Sequence, residues 1–323
     1  MNREQHWSES ETCVRFRRVV PFVHTHKAIY ENNRTKRKTG EIGNGIMIIK
    51  IGKYDYTEVW NGVLYKKLSN YPQISDWEIR TIIDFIDYEN MYGRKCQLIC
   101  DDKQLLQTIE KSILEKEKFQ SVPVPEKITE CTACRYRKGC CTKFVCHTTS
   151  LENTLKILRS GCLLSALRAR KLTVNELMAE KRNAANDPAD YFEYIMFTWG
   201  NCQAGDRLVM ERKLDRFPTD QDLSRDFTPG VRFYFRYEDL IRHPNVVFDG
   251  VLPLKIRDEL GLKDWCLAVI VPAAWKQNIE QEAPDYLSDK IIYLENDCED
   301  IWDWSEKVYQ KIEAMDQLNI MVE

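Results

Sequence analysis

The first third of the chain alternates strand-like and helical patterns of apolar positions. GIMIIKI, residues 45–51, is an almost continuous apolar run of the kind found in buried β-strands. The runs YTEVW and VLYKKL follow, separated by Asn61 and Gly62, which both tolerate the positive φ of a tight turn. The pattern therefore predicts one strand and then a β-hairpin.

Helical spacing begins after the hairpin. Ser75 and Glu78 form a capping box, and isoleucines then recur every three or four residues until Gly93. CQLIC, residues 96–100, predicts another strand, and residues 103–118 predict a second helix. These elements indicate a small mixed α/β domain in residues 1–120. The proline-containing stretch at residues 121–130 is predicted to be a linker.

The second half of the chain is richer in strand candidates. A strand is predicted at residues 143–147, and Ser150 begins an amphipathic helix that Gly161 ends. A further helix is predicted in NCQAGDRLVMERKL, and a closing one at residues 300–312. The other strand candidates are EYIMFTWG, VRFYFRYEDL, NVVFDG, WCLAVIVP and KIIYLE.

Composition limits the number of domains, the partners and the cellular location that we expect for the protein. A chain of 323 residues can form two modest domains, and its net charge of −3 gives no global indication of nucleic-acid binding. The N-terminus is locally basic, which is typical of a solvated tail. No signal peptide or membrane span is recognisable in the sequence. We therefore expect a cytoplasmic protein without a membrane partner.

Cysteines cluster directly before the predicted strand at residues 143–147. Twelve cysteines without an export signal favour metal ligation over disulfides. The predicted ligands, in a metal-binding loop at residues 131–146, are Cys131, Cys134, Cys140 and Cys146. One Cys-x2-Cys pair with two singly spaced cysteines is closer to iron–sulfur than to zinc ligation. Zinc and unligated buried cysteines remain alternatives.

The segment after the cysteines resembles a known family. The order of strand, His-x-Thr, helix, Ser-Gly and Leu-Leu-Ser resembles the opening of the ADP-ribosyltransferase superfamily. The nearest branch contains DNA-targeting ADP-ribosyltransferase toxins and RNA 2′-phosphotransferases. The resemblance covers about residues 143–315 and implies a split, mostly antiparallel β core. We therefore expect an α+β protein in which residues 147–323 form an ADP-ribosyltransferase-like domain.

The resemblance also implies roles for individual residues. His147 would act as a hydrogen-bond donor to the nicotinamide-side ribose of NAD, and Thr149 and Ser165 would complete the cofactor-binding set. Thr198 would supply a hydroxyl on a second strand beside nicotinamide. The catalytic carboxylate would be Asp264 or Glu282, depending on which late strand matches the family's strand.

Two functions follow as expectations. The first is an enzyme that transfers ADP-ribose from NAD to a macromolecular acceptor, with nucleic acid as one candidate acceptor. The second is a noncatalytic nucleic-acid-binding or regulatory protein, in which the metal-stabilised loop presents basic residues to phosphates. Those residues are Arg135, Arg137, Lys138 and Lys143. The sequence leaves the oligomeric state open.

The cysteine loop gives a first testable prediction. The double substitution Cys131→Ser/Cys134→Ser should lower both the metal content and the soluble yield, because ligation free energy in a small loop contributes directly to folding. Elemental analysis and a visible spectrum of anaerobically purified protein measure this and separate zinc from an iron–sulfur cluster. Stoichiometric metal in the double variant would contradict the prediction.

Overall fold

A computed structural model of the protein describes residues 45–54, 57–60, 62–125, 143–179, 188–225 and 227–320. The predicted metal ligands Cys131, Cys134 and Cys140 lie outside these residues, as does the second half of the predicted linker, residues 126–130. Within the described ranges, no helix has the combination of length and apolar character that crossing a bilayer requires.

The strands are β1 (Ile46–Gly52), β2 (Glu58–Trp60), β3 (Val63–Lys67), β4 (Lys95–Cys100), β5 (Phe144–Thr149), β6 (Cys162–Leu164), β7 (Tyr194–Met196), β8 (Thr198–Trp199), β9 (Val231–Arg236), β10 (Val246–Val247), β11 (Lys255–Arg257), β12 (Glu259–Gly261), β13 (Ala268–Pro272) and β14 (Ile291–Leu294). The α-helices are α1 (Asp76–Met91), α2 (Lys103–Leu114), α3 (Leu151–Ser160), α4 (Ala166–Arg170), α5 (Val174–Ala179), α6 (Ala204–Leu214), α7 (Tyr237–Leu240), α8 (Leu262–Trp265), α9 (Lys276–Glu280) and α10 (Ile301–Ile320).

The first four strands and the helices α1 and α2 form what we call the N-terminal unit. Its sheet has the order β2-β3-β1-β4, with β1 parallel to both neighbours and β2 antiparallel to β3. The predicted hairpin is therefore confirmed. The capping box of Ser75 and Glu78 is also present at the start of α1. One face of the sheet packs against the helices through residues such as Ile49, Leu64 and Phe85, which are fully buried.

The remaining strands form what we call the C-terminal unit. Its largest sheet has the order β14-β13-β9-β5-β8 and is antiparallel except between β13 and β14. One face packs against the small sheets β10-β11-β7 and β12-β6, through buried residues including Phe233 and Ile256. The other face packs against α6 and α10, around Trp304. The mixture of helices and several sheets confirms the predicted α+β class.

The run EYIMFTWG does not form the single strand that its apolar pattern predicts. It forms β7 and β8, which belong to different sheets: β7 pairs with β11 and β8 pairs with β5. Phe197, between them, is fully buried in the core that the sheets share, whereas Met196 is 37% exposed. The chain therefore changes sheets at Phe197, and packing of that ring accompanies the break.

Other elements differ from the prediction in their bounds. The closing helix extends to Ile320, and VRFYFRYEDL ends as the short helix α7 instead of continuing as a strand. The strands β6, β11 and β12 were not predicted from the sequence. Each has only three residues, too few to show a period, and each is stabilised by pairing with a distant strand.

A buried ammonium group lies where the two units meet. The Nζ atom of Lys255 is 3.5 Å from the ring centroid of Tyr88 on α1, and 4.0 and 4.7 Å from those of Tyr191 and Tyr194. Asp249 approaches it to 3.3 Å, and the lysine side chain is fully buried. Cation–π and ionic attraction together offset the cost of removing this charge from water. We call this group of residues the lysine cage.

Close backbone packing accompanies the lysine cage. Gly250, in the loop after β10, has φ of +65°, and a Cβ atom there would overlap the carbonyl oxygen of Thr81 on α1. It would also come within 2.8 Å of Phe85. The loop can approach α1 this closely because Gly250 has no side chain and tolerates the left-handed conformation.

This contact predicts an unequal response to alanine at two glycines. Gly250→Ala should lower the free energy of unfolding by about 2–5 kcal/mol, the sum of left-handed strain and overpacking. Gly261→Ala is the matched control, because φ there is −68° and no atom lies within 4 Å of the added Cβ. Urea denaturation of both variants provides the measurement. Equal stability of the two variants would show that the close contact does not form.

Candidate functional site

His147 lies on β5, inside the five-stranded sheet between β8 and β9. Successive residues of β5 face opposite sides of the sheet. The side chain of Cys146 packs with Phe144 against α6 and α10, whereas the ring of His147 lies 6.2 Å from that of Phe197 on the other side. His147 therefore faces the side on which the small sheets pack, and it is half-buried there.

One ring nitrogen of His147 is engaged by the backbone. Nδ1 lies 3.1 Å from the carbonyl oxygen of Met196, the last residue of β7. A carbonyl oxygen can only accept a hydrogen bond, so Nδ1 donates it. Burial lowers the pKa of His147 below its ordinary value, an effect to which Arg212 adds. In the neutral ring Nε2 is consequently a hydrogen-bond acceptor.

The ring of His147 lies beside the point where the chain passes from the small sheet to the large one. Met196 ends the strand that joins the small sheet, and two residues later Thr198 begins the strand that joins the large sheet. The hydrogen bond from His147 to Met196 therefore connects β5 to the point where the chain leaves one sheet for the other. Because the ring is only half-buried, it is open to contact from a ligand on this face of the sheet.

Thr198 lies on the opposite face from His147. The strand register pairs Thr198 with Cys146, and the threonine Oγ1 is 3.3 Å from the cysteine Sγ. Directly paired residues of antiparallel strands share a face, so the pairing separates Thr198 from the ring of His147. The structure therefore separates these two residues, which the resemblance implied would both lie beside NAD.

Cys146 is a buried thiol in apolar surroundings. Its side chain is 1% exposed, and burial raises its pKa, although Arg232 and the hydroxyl of Thr198 act in the other direction. Metal ligation requires the thiolate, which such an environment disfavours. Among the described residues, no three His, Cys, Asp or Glu side chains are grouped to hold a metal ion. The four-cysteine metal centre stays a prediction.

Thr149 and Ser165, predicted to bind the cofactor, take part in local hydrogen bonds. The Oγ1 of Thr149 accepts a hydrogen bond from Asn153 at 3.3 Å, and the side chain of Ser165 caps α4. Both residues are at least 95% buried, at 4% and 1% exposed. Their hydroxyl groups stabilise the turns on either side of α3, and their role in cofactor binding stays a prediction.

The two candidate carboxylates occupy different surroundings. Asp264 is exposed on α8. Glu282 forms a two-point ion pair with Arg159, at 2.7 and 2.5 Å, which holds its pKa below the ordinary value. Among the described hydrogen bonds, none joins either carboxylate to His147. The role of either carboxylate in catalysis stays a prediction.

A buried charge network on the other face was not predicted. Arg232 on β9 donates from Nε to Asp206 at 2.9 Å and from Nη2 to Ser305 of α10 at 2.5 Å. Asp206, at the start of α6, also accepts a hydrogen bond from the backbone of Gly230. Arg232 and Asp206 are both fully buried. The sequence offered little signal for the pair, because Arg232 lies within a strand-like run and Asp206 within a helical one.

This network lies directly behind the strand that carries His147. Arg232 pairs in register with Thr148, the neighbour of His147. Gly205 and Gly230 lack side chains where a Cβ atom would collide with Thr148. The helix α6 can therefore approach β5 closely, and the two charges fix α6 and α10 on the sheet.

No protein-family model, no curated protein and no solved structure matches this chain.

The Arg232–Asp206 pair yields a prediction about stability. Arg232→Met should lower the free energy of unfolding by about 3–5 kcal/mol, because Asp206 would be left as an uncompensated buried charge. The double variant Arg232→Met/Asp206→Leu should recover much of that loss, since it removes both charges. Chemical denaturation measures both effects. A single variant that unfolds like the wild-type protein would contradict this account of the network.

Proposed function

We propose that this chain is an ADP-ribosyltransferase-like enzyme that binds NAD on the His147 face of the five-stranded sheet and transfers ADP-ribose to a macromolecular acceptor. The supporting observation is the position of His147, half-buried beside the point where the chain passes from one sheet to the other, with its ring oriented by Met196. The resemblance of residues 143–165 to the opening of that superfamily supports the same proposal.

His147 would position the ribose in this reaction. With Nδ1 donating to the carbonyl of Met196, Nε2 is available to accept a hydrogen bond from a ribose hydroxyl. Because the hydrogen bond from Nδ1 already orients the ring, the ring loses little freedom when it binds a ribose. Fixed side chains of this kind favour a reactive geometry. The role is that of an acceptor, in contrast to the donor role that the sequence alone suggested.

The chemistry would be a substitution at the anomeric carbon of the nicotinamide-side ribose. The bond to nicotinamide breaks with its electron pair leaving on nicotinamide, and an acceptor nucleophile bonds to the same carbon and loses its proton to solvent. A carboxylate near the ribose would stabilise the developing positive charge. Asp264 and Glu282 remain the proposed carboxylates, and Cys131, Cys134, Cys140 and Cys146 the proposed ligands of an iron–sulfur cluster or zinc.

A noncatalytic role is the second candidate. The noncatalytic role is favoured because, in the described part of the chain, neither Asp264 nor Glu282 is hydrogen-bonded to His147. In that case the chain would be a nucleic-acid-binding or regulatory protein. Binding of NAD without its consumption would distinguish nucleotide recognition from transfer.

Calorimetric titration of NAD tests the proposal. His147→Asn keeps an amide donor near the position of Nδ1 but has no counterpart of Nε2, so it should fold normally and bind NAD about 3- to 10-fold more weakly. That range corresponds to the loss of one hydrogen bond. Thr198→Val is the matched control, because Thr198 faces the other side of the sheet. Its affinity for NAD should be unchanged.

The outcomes separate the two candidate functions. Release of nicotinamide from NAD by the wild-type protein, reduced in His147→Asn, would support transfer chemistry. Binding without release would favour the noncatalytic role. No binding of NAD at millimolar concentration, or equal binding by wild-type protein and His147→Asn, would rule out the proposed site.

A further inference from the structure

The sheet of the N-terminal unit has two unlike faces. Ile49 and Leu64 on one face are fully buried beneath α1 and α2. On the other face side chains are exposed or half-exposed, with Ile99 at 39%. We call the second face the open face. It is defined by Lys50 on β1, Glu58 on β2, Tyr65 and Lys67 on β3, and Gln97 and Ile99 on β4.

A tyrosine pair lies on the open face. Tyr65, Lys50 and Ile99 are aligned across three strands by the parallel register. The Nζ atom of Lys50 is 5.7 Å from the centroid of the Tyr65 ring. Tyr54 meets Tyr65 edge to face, with ring centroids 5.4 Å apart. The ring of Tyr54 also lies over Gly52, within 3.2 Å of where a Cβ atom would be.

The charge of this face is positive in the part of the chain that the structure describes. Lys50, Lys67 and Lys95 are carried by its strands, whereas Glu58 on β2, which pairs directly with Tyr65, and Asp101 after β4 are the carboxylates closest to them in the strand register and sequence. The chain enters the sheet at Ile46, which pairs with Lys95. The 44 residues before the described part contain nine Lys or Arg and five Asp or Glu, a net charge of +4.

We propose that the open face binds single-stranded nucleic acid. Bases would stack on the rings of Tyr65 and Tyr54, and Lys50 and Lys67 would contact the phosphates beside them. Aromatic rings with interleaved lysines on an accessible sheet suit unstacked bases, because every base has a stacking face and every nucleotide carries a negative charge. A duplex keeps its bases stacked and offers no equivalent surface.

Charge also distinguishes this occupant from the chain's own N-terminal segment. A segment of net charge +4 is repelled by a face that carries lysines, whereas both attract a polyanion. The open face lies in a different unit from His147, and this proposal does not depend on the use of NAD.

Fluorescence anisotropy with the full-length protein tests the proposal. The probes are fluorescein-labelled 20-nucleotide oligomers of dT and of U, with a labelled duplex of the same length for comparison. Tyr65→Ala should weaken binding of the single strands by between about 5-fold and about 150-fold, the range of one base–aromatic stack. Tyr65→Phe should retain binding because it retains the ring. Lys50→Gln should reduce the slope of log affinity against log salt by about 0.7.

Matched controls come from the C-terminal unit. Tyr286→Ala removes a tyrosine that is 38% exposed, and Lys263→Gln removes an exposed lysine on α8. Both should bind the oligomers like the wild-type protein, and thermal melts should verify that every variant is folded. Loss of binding in Tyr65→Ala with full binding in Tyr286→Ala supports the open face as the site.

Several outcomes would overturn the proposal. They include no binding of single strands at micromolar concentration, equal affinity for the duplex, or equal effects of the open-face and control variants. A large fall in melting temperature of Tyr65→Ala without any oligomer binding would indicate that residues 1–44 cover the face. NAD titrations of Tyr65→Ala should match wild-type protein, so a failure of this surface is distinguishable from a failure of the His147 site.

Discussion

The ion pair between Arg232 and Asp206 holds the C-terminal unit together around the strand that carries His147. Both side chains are fully buried, so each charge depends on the other for compensation. The pair fixes α6 and α10 on β9, and β9 pairs with β5 along its whole length. The face of β5 that carries Cys146 is therefore rigidly backed, and His147 projects from the opposite face of a strand that cannot easily shift.

The elements that sequence predicts well are those with local signals. The helix α1 begins at a capping box, and α3 ends at Gly161 in the left-handed conformation, so these two helix ends are set by local sequence. The strands β6 and β12 pair with each other across a long stretch of sequence, and β11 pairs with the distant β7 as well as with β10. The division of EYIMFTWG is similar in origin, because a continuous apolar run does not show which sheet each half will join.

In the candidate site too, the sequence predicts the features that depend on local pattern and not those that depend on distant partners. Alternation along an extended strand is enough to place Cys146 and His147 on opposite faces. The face of Thr198 was not predictable, because a shift of one residue between β5 and β8 would reverse it, and only the folded register decides. The ion pair of Glu282 with Arg159 spans 123 positions of sequence, so its surroundings were equally inaccessible from local pattern.

The lysine cage gives the junction between the two units a particular dependence on temperature. Hydration of a charged group becomes less favourable on warming, so the cost of removing the Lys255 ammonium from water falls as temperature rises. Apolar contacts such as those of Phe85 weaken on cooling. Both effects therefore weaken the contact between the two units as temperature falls. Cold, more than moderate warmth, is therefore the condition under which the N-terminal unit is held least firmly against the C-terminal unit.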